Sequence, residues 1–125
     1  MVLGLGVDFV DPARVKAELA RGDWQSSDGV FTPAELTYCN RGGRRERRFA
    51  ACFAAKEATL KALGSGVEDL GTFREVETKF GPGFQGDILL RNRLQKKAEQ
   101  LGVRRITLSV APGRKLVAAM VVLQL

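Results

Sequence analysis

Histidine is absent from the 125-residue chain. That excludes, within the chain, every Ser-His or Cys-His nucleophilic mechanism and every histidine-ligated zinc site. Acid–base chemistry therefore falls to carboxylates, lysine, tyrosine or bound water. Cysteine is nearly as scarce: Cys39 and Cys52 occur, with no CxxC spacing. Two such residues make no disulfide framework and suit a reducing, cytoplasmic compartment. No apolar run is long enough to span a bilayer, so no membrane partner is expected. The start Met1-Val2-Leu3-Gly4 lacks the basic stretch of a signal peptide and reads as a first strand. Acidic residues are in the minority, 14 against 20 Lys and Arg, for a net charge of +6. That excess favours an anionic partner: nucleic acid, an acidic protein or a phosphorylated small molecule. Charge alone does not choose among them, and it also suits a merely soluble basic protein.

What is present reads as one compact domain over residues 1–125. Val2–Val10 is rich in Val and Leu with interleaved glycines, and predicts a strand ending near Asp8. Asp11-Pro12 opens a helix, because Asp caps and Pro suits the first helical position. Residues 22–29 are polar and turn-rich. Thr32-Pro33-Ala34-Glu35 predicts a second helix opened by a capping box. From Arg44 to Leu63 a long helix is expected, with Phe49, Cys52, Phe53, Lys56, Leu60 and Leu63 at spacings of three and four. Gly64-Ser65-Gly66 stops it. Thr72–Phe80 alternates like a strand, Gly81-Pro82-Gly83 is a turn, and Asp87–Leu90 is a short strand. Gln95–Leu101 predicts a helix closed by Gly102. Arg104–Val110 and Leu116–Leu125 predict a closing hairpin. The order β-α-α-α-β-β-α-β-β is that of an α+β domain.

Three features carry chemistry. Asp8 ends a strand after glycines. Lys56, Glu57 and Lys61 lie in a helix of mostly small or apolar neighbours, with Glu57 and Lys61 four apart on one face. Gly64-Ser65-Gly66 follows directly. Taken singly, each has a plain structural reading: a turn residue, a solvated helix pair, a helix stop. The basic cluster Arg44, Arg45, Arg47 and Arg48 has one as well, a solvated helix face. It lacks the interleaved aromatics of a nucleic-acid surface, and the chain holds one Trp and one Tyr, so nucleic acid is not the expected partner.

Taken together, Gly6-Val7-Asp8-Phe9-Val10, Phe31-Thr32-Pro33-Ala34-Glu35-Leu36 and Phe53-Ala54-Ala55-Lys56-Glu57-Ala58-Thr59-Leu60-Lys61-Ala62-Leu63-Gly64-Ser65-Gly66 resemble the holo-acyl-carrier-protein synthases. The helix block is the most specific part, and the likeness runs on more weakly through Gly81-Pro82 and the last hairpin. The resemblance implies a 4′-phosphopantetheinyl transferase-like fold, an antiparallel sheet packed against a long helix, assembling as a homotrimer. It implies transfer of 4′-phosphopantetheine from coenzyme A, the substrate, to a serine of an acidic acyl carrier protein. It also implies Asp8 and Glu57 as ligands of Mg²⁺ or Mn²⁺, approaching the ligand cleft from different subunits' surfaces. Lys61 would neutralise the diphosphate and help the adenosine 3′,5′-bisphosphate depart, making Asp8, Glu57 and Lys61 the catalytic set. Lys61, Gly64, Ser65, Gly66, Arg44 and Arg45 would bind coenzyme A, and Arg14 and Arg21 would dock the carrier. A hard, oxygen-seeking cation suits this chemistry, because it spreads the charge that develops on a breaking diphosphate.

The sequence departs from the family pattern twice. Cys52 stands where an Arg is usual, and Ala111-Pro112 where a Ser/Thr-His pair is usual; both missing groups help hold the nucleotide end of coenzyme A. Arg114 and Lys115, or Arg44 and Arg45, are the candidates to replace that charge. Two readings follow: an active enzyme with a rebuilt nucleotide pocket, or an impaired homologue serving as a carrier-binding scaffold. The retention of Asp8, Glu57 and Lys61 together favours the first.

Overall fold

The computed structural model describes residues 1–22, 24, 29–66 and 70–125, Leu70 by its backbone alone. Most of the turn-rich stretch 22–29 lies outside the described residues. The elements are β1 (Val2–Val10), α1 (Pro12–Ala20), α2 (Pro33–Cys39), α3 (Arg45–Leu63), α4 (Leu70–Arg74), β2 (Val76–Phe80), β3 (Gly86–Leu90), α5 (Asn92–Leu101), β4 (Arg105–Pro112) and β5 (Val117–Gln124), with a short 3₁₀ turn at Pro82–Phe84. Three strands form an antiparallel sheet in the order β1-β5-β4, and β2 pairs with β3 in a separate antiparallel hairpin.

The helix starts follow the expected chemistry. Asp11 Oδ1 accepts the Ala13 amide at 2.8 Å. In the capping box of α2, the Thr32 amide donates to Glu35 Oε1 at 2.9 Å and the Glu35 amide to Thr32 Oγ1 at 3.2 Å. One expectation fails: 72–74 belong to α4, and β2 begins only at Val76. Thr72 and Phe73 are both buried, as are Val76, Glu77 and Thr78. Consecutive burial is what a short helix and a strand covered on both faces produce, and period-two reading does not register it.

Helix α3 is the axis of the molecule. Twelve of its nineteen residues are buried, on all sides rather than along one stripe. Six of them are alanines, at positions 50, 51, 54, 55, 58 and 62, small enough to let neighbouring backbone come close. The sheet uses this. A methyl group added at Gly6 would stand 1.9 Å from the Ala58 carbonyl oxygen, and one at Gly4 2.2 Å from that of Ala62. Glycine is therefore required at both positions for β1 to lie against α3. From Gly4 onward the even-numbered residues of β1 face the helix, which aims Asp8 at it, while Leu5, Val7 and Phe9 point outward and are exposed.

Candidate active site

A cleft of about 650 Å³ opens where the end of β1, helix α1 and the middle of α3 meet. Asp8 and Glu57 both line it, with Arg14 on the α1 side and the rings of Trp24, Phe53 and Phe73 among its apolar walls. Asp8 arrives there through the glycine-enabled contact of β1 with α3, and Glu57 through the rotation of α3. Lys61, one helical turn beyond Glu57, donates to Asp8 Oδ1 at 3.1 Å and to the Val7 carbonyl at 3.0 Å. Burial, and then the negative charge of Asp8, raise the proton affinity of Glu57; the Lys61 ammonium opposes this. A half-buried carboxyl beside a second carboxylate is a place where a cation relieves electrostatic cost.

One chain thus supplies both acids to one cleft. This corrects the expectation that Asp8 and Glu57 approach from different subunits. Among the described residues no group of three or more His, Cys, Asp or Glu side chains could hold a metal ion by itself; two carboxylates suit a hard cation such as Mg²⁺ only where phosphate oxygens and water complete its shell.

The remaining expected site residues are distributed around this centre. Gly64, Ser65 and Gly66 line a neighbouring pocket of about 250 Å³, where Lys97 Nζ reaches Ser65 Oγ at 2.9 Å. Gly64 ends α3 in the left-handed conformation, φ 67°, which glycine adopts freely. Arg14 pairs with Glu18 at 3.0 Å on the cleft rim, and Arg21 follows at the C-terminal end of α1. Arg44 and Arg45 sit at the opposite end of α3, about 18 Å from Glu57 along the axis at 1.5 Å per residue. Within a chain they do not reach the cleft; Arg45 donates to Asn40 Oδ1 at 2.7 Å.

The two departures from the family pattern have structural counterparts. Cys52 is fully buried beside Cys39 and Thr78, in the core rather than on the cleft wall. The Pro112 carbonyl accepts from Arg47, which ties the last hairpin to the start of α3.

Sequence reasoning gave Glu35 a local capping role and missed its larger one. Its carboxylate accepts Lys56 Nζ at 2.5 Å through Oε1, and the Thr78 amide at 2.9 Å and hydroxyl at 2.7 Å through Oε2. Lys56 Nζ also donates to the Val76 carbonyl at 2.6 Å, and the Lys56 and Glu35 side chains are completely buried. The pair clamps α2, α3 and β2 together and so fixes which way the next residue, Glu57, faces. The signal available was a lysine set among alanines.

A sequence model of the 4′-phosphopantetheinyl transferase superfamily matches residues 4–118. The chain belongs to this superfamily. It is 35% identical over 124 residues to the holo-[acyl-carrier-protein] synthase of Koribacter versatilis, covering 99% of each protein. Among solved structures, the holo-[acyl-carrier-protein] synthase of Neisseria meningitidis superposes with a TM-score of 0.83 at 28% identity, over 99% of both chains. The Chronobacterium ammoniagenes ACPS–CoA complex gives 0.77 at 26% identity, over 97% of this chain and 96% of that one. These phosphopantetheinyl transferases share the α+β architecture, with its antiparallel sheet against a long helix, across nearly the whole chain.

Proposed function

We propose that the chain is a holo-acyl-carrier-protein synthase. It transfers 4′-phosphopantetheine from coenzyme A to a serine of an apo acyl carrier protein, releasing adenosine 3′,5′-bisphosphate. The carrying observation is that Asp8 and Glu57, distant in sequence, line one cleft, and that Lys61 donates to Asp8 at its edge. Asp8 and Glu57 would hold Mg²⁺ or Mn²⁺, which when bound polarises the diphosphate and offsets its charge. The carrier serine is the nucleophile. Its oxygen bonds to the pantetheine-side phosphorus as the bond to the adenosine bisphosphate oxygen breaks. Glu57, or a water in the cleft, would take the serine proton. Lys61, paired with Asp8, would neutralise the departing phosphate. Gly64, Ser65 and Gly66, together with Arg44 and Arg45 of an adjoining subunit, contact coenzyme A. Arg14 and Arg21 orient the acidic carrier through charge complementarity.

Homotrimer assembly is part of this reading. On the outer face of the β1-β5-β4 sheet, Leu5, Val7 and Phe9 stand beside Ala118, Met120 and Val122, with Thr107, Ser109 and Ala111 on β4. No charged residue interrupts that three-by-three array, and Phe9 is 59% exposed in the isolated chain. A face of this kind favours burial against other copies.

A second reading, a carrier-binding scaffold that no longer transfers, draws on the core position of Cys52 and the engagement of the Pro112 carbonyl by Arg47. Neither position offers a phosphate contact. The test is the intact mass of apo carriers from the same organism after incubation with the protein, coenzyme A and Mg²⁺. A phosphopantetheine gain that disappears with Glu57→Ala supports transfer. Retained carrier binding with no gain on any cognate carrier supports the scaffold.

A further inference from the structure

The transfer reaction uses neither cysteine, yet the two lie together. Cys39 is the last residue of α2 and Cys52 lies in the middle of α3; both are fully buried, and their Sγ atoms are 3.4 Å apart. We propose that Cys39 and Cys52 form a redox-responsive pair that closes to an intramolecular disulfide under oxidising conditions and staples α2 to α3. A disulfide needs sulfurs about 2.05 Å apart, so closure asks for about 1.4 Å of approach. Side-chain rotation and a small shift at the end of the seven-residue α2 supply it. The residues that follow α2, Arg41 to Arg44, are exposed, and the Arg48 guanidinium already ties the carbonyls of Cys39, Arg41 and Gly42 to α3, so the shift moves the end of α2 within that contact.

The chemistry is thiol–disulfide exchange with a small disulfide such as oxidised glutathione. One thiol loses its proton and attacks the oxidant, releasing one small thiol and leaving a mixed disulfide. The second cysteine loses its proton, displaces the other half and closes the protein disulfide. The two protein sulfurs give up two electrons and two protons, and the oxidant leaves as two thiols.

The contact with Cys52, together with burial, pushes the Cys39 thiol well above its ordinary pKa. Attack therefore waits for α2 to open locally, so closure is slow in native buffer and faster in dilute urea. The ring that closes spans residues 39–52 and contains Arg41, Arg44, Arg45, Arg47 and Arg48. It anchors the basic segment at both ends and restricts the unfolded chain. Neither sulfur lines the cleft of Asp8 and Glu57.

The experiment incubates the reduced protein with oxidised glutathione. Aliquots are alkylated under denaturing conditions, followed by intact mass, peptide mapping and a thermal melt. The expected product has lost the mass of two hydrogens, carries no alkyl label, and yields a cross-linked Cys39–Cys52 peptide. Its thermal midpoint is higher by roughly 10 °C, returning to the starting value after reduction. Cys39→Ser acquires neither the cross-link nor the shift. Two alkylated cysteines after prolonged exposure in dilute urea would overturn the proposal. So would a stable glutathione adduct on a single cysteine, disulfide-linked dimers, or a cross-linked form with a lower midpoint.

Discussion

Glu57 carries a cost that a cation removes. At pH values below its ordinary pKa of 4.5 the group is protonated in both the folded and unfolded chain and contributes no penalty. As pH rises from there through its raised folded-state value, the unfolded chain gives up the proton first. Stability falls across that window, and the loss is complete above it. A divalent ion between Asp8 and Glu57 stabilises the ionised form, so the gain in thermal midpoint on adding Mg²⁺ grows as pH rises through the same window. Melting curves with and without Mg²⁺ across pH measure this, and Glu57→Gln flattens the dependence. An unchanged pH-dependent gain in that variant contradicts the assignment. The same substitution lowers turnover by roughly 10²–10³-fold, the usual scale for losing one electrostatic contributor to a transition state, while the circular dichroism spectrum holds.

The buried Glu35–Lys56 pair makes a different residue-scale prediction. Its value lies in geometry, because a buried pair costs desolvation on both sides; burial is the dominant influence on Lys56 and lowers its pKa. Lys56→Met strands the Glu35 carboxylate without its cation and destabilises by about 3–5 kcal/mol. Glu35→Met with Lys56→Met together costs far less than the sum of the two, read from urea midpoints. Additive costs would show that the two side chains act independently.

At the scale of elements, the site exists because a strand and a helix approach more closely than side chains normally allow. Gly6→Ala forces a methyl group against the Ala58 carbonyl and pushes β1 away, and Asp8 lies two residues further along the same strand. The expected result is a loss of about 1–3 kcal/mol, with transfer activity falling by a larger factor than stability alone explains. Urea titration and carrier mass measured side by side check it; unchanged activity contradicts the link between glycine spacing and Asp8 placement. Much of this was legible in advance. Helix α3, its stop at Gly64 and the capping box of α2 rest on local chemistry, and they appeared where that chemistry put them. Asp8 and Glu57 could be named as partners through family resemblance, but the reason they meet is tertiary: two carbonyl groups on α3 that no periodicity reveals. The α4 segment was misread as strand because its burial comes from both sides. Glu35 was visible only as a cap, since its partners Lys56 and Thr78 lie 21 and 43 residues away.

At the scale of the whole molecule, a net charge of +6 and an uncharged sheet face define two surfaces with different physics. Carrier association through Arg14 and Arg21 slows as salt rises from 50 to 500 mM, because the Debye length shrinks from roughly 14 Å to about 4 Å. The proposed trimer, assembled through the apolar outer sheet face, is expected to be insensitive to the same change. Met120→Glu places a charge in the middle of that face, opposite Val7 of β1 and Ser109 of β4, and shifts sedimentation from trimer to monomer. A trimer that survives this substitution would move the interface elsewhere. No helix among the described residues is long and apolar enough to cross a membrane.

The proposed chemistry depends on two carboxylates of one chain holding one divalent ion against the substrate diphosphate. Electron paramagnetic resonance of Mn²⁺, titrated into the protein with coenzyme A present, counts that ion directly. One tightly held Mn²⁺ per chain is expected, and it is lost in both Asp8→Asn and Glu57→Gln while the folded spectrum persists. Undiminished Mn²⁺ binding in both variants would contradict it.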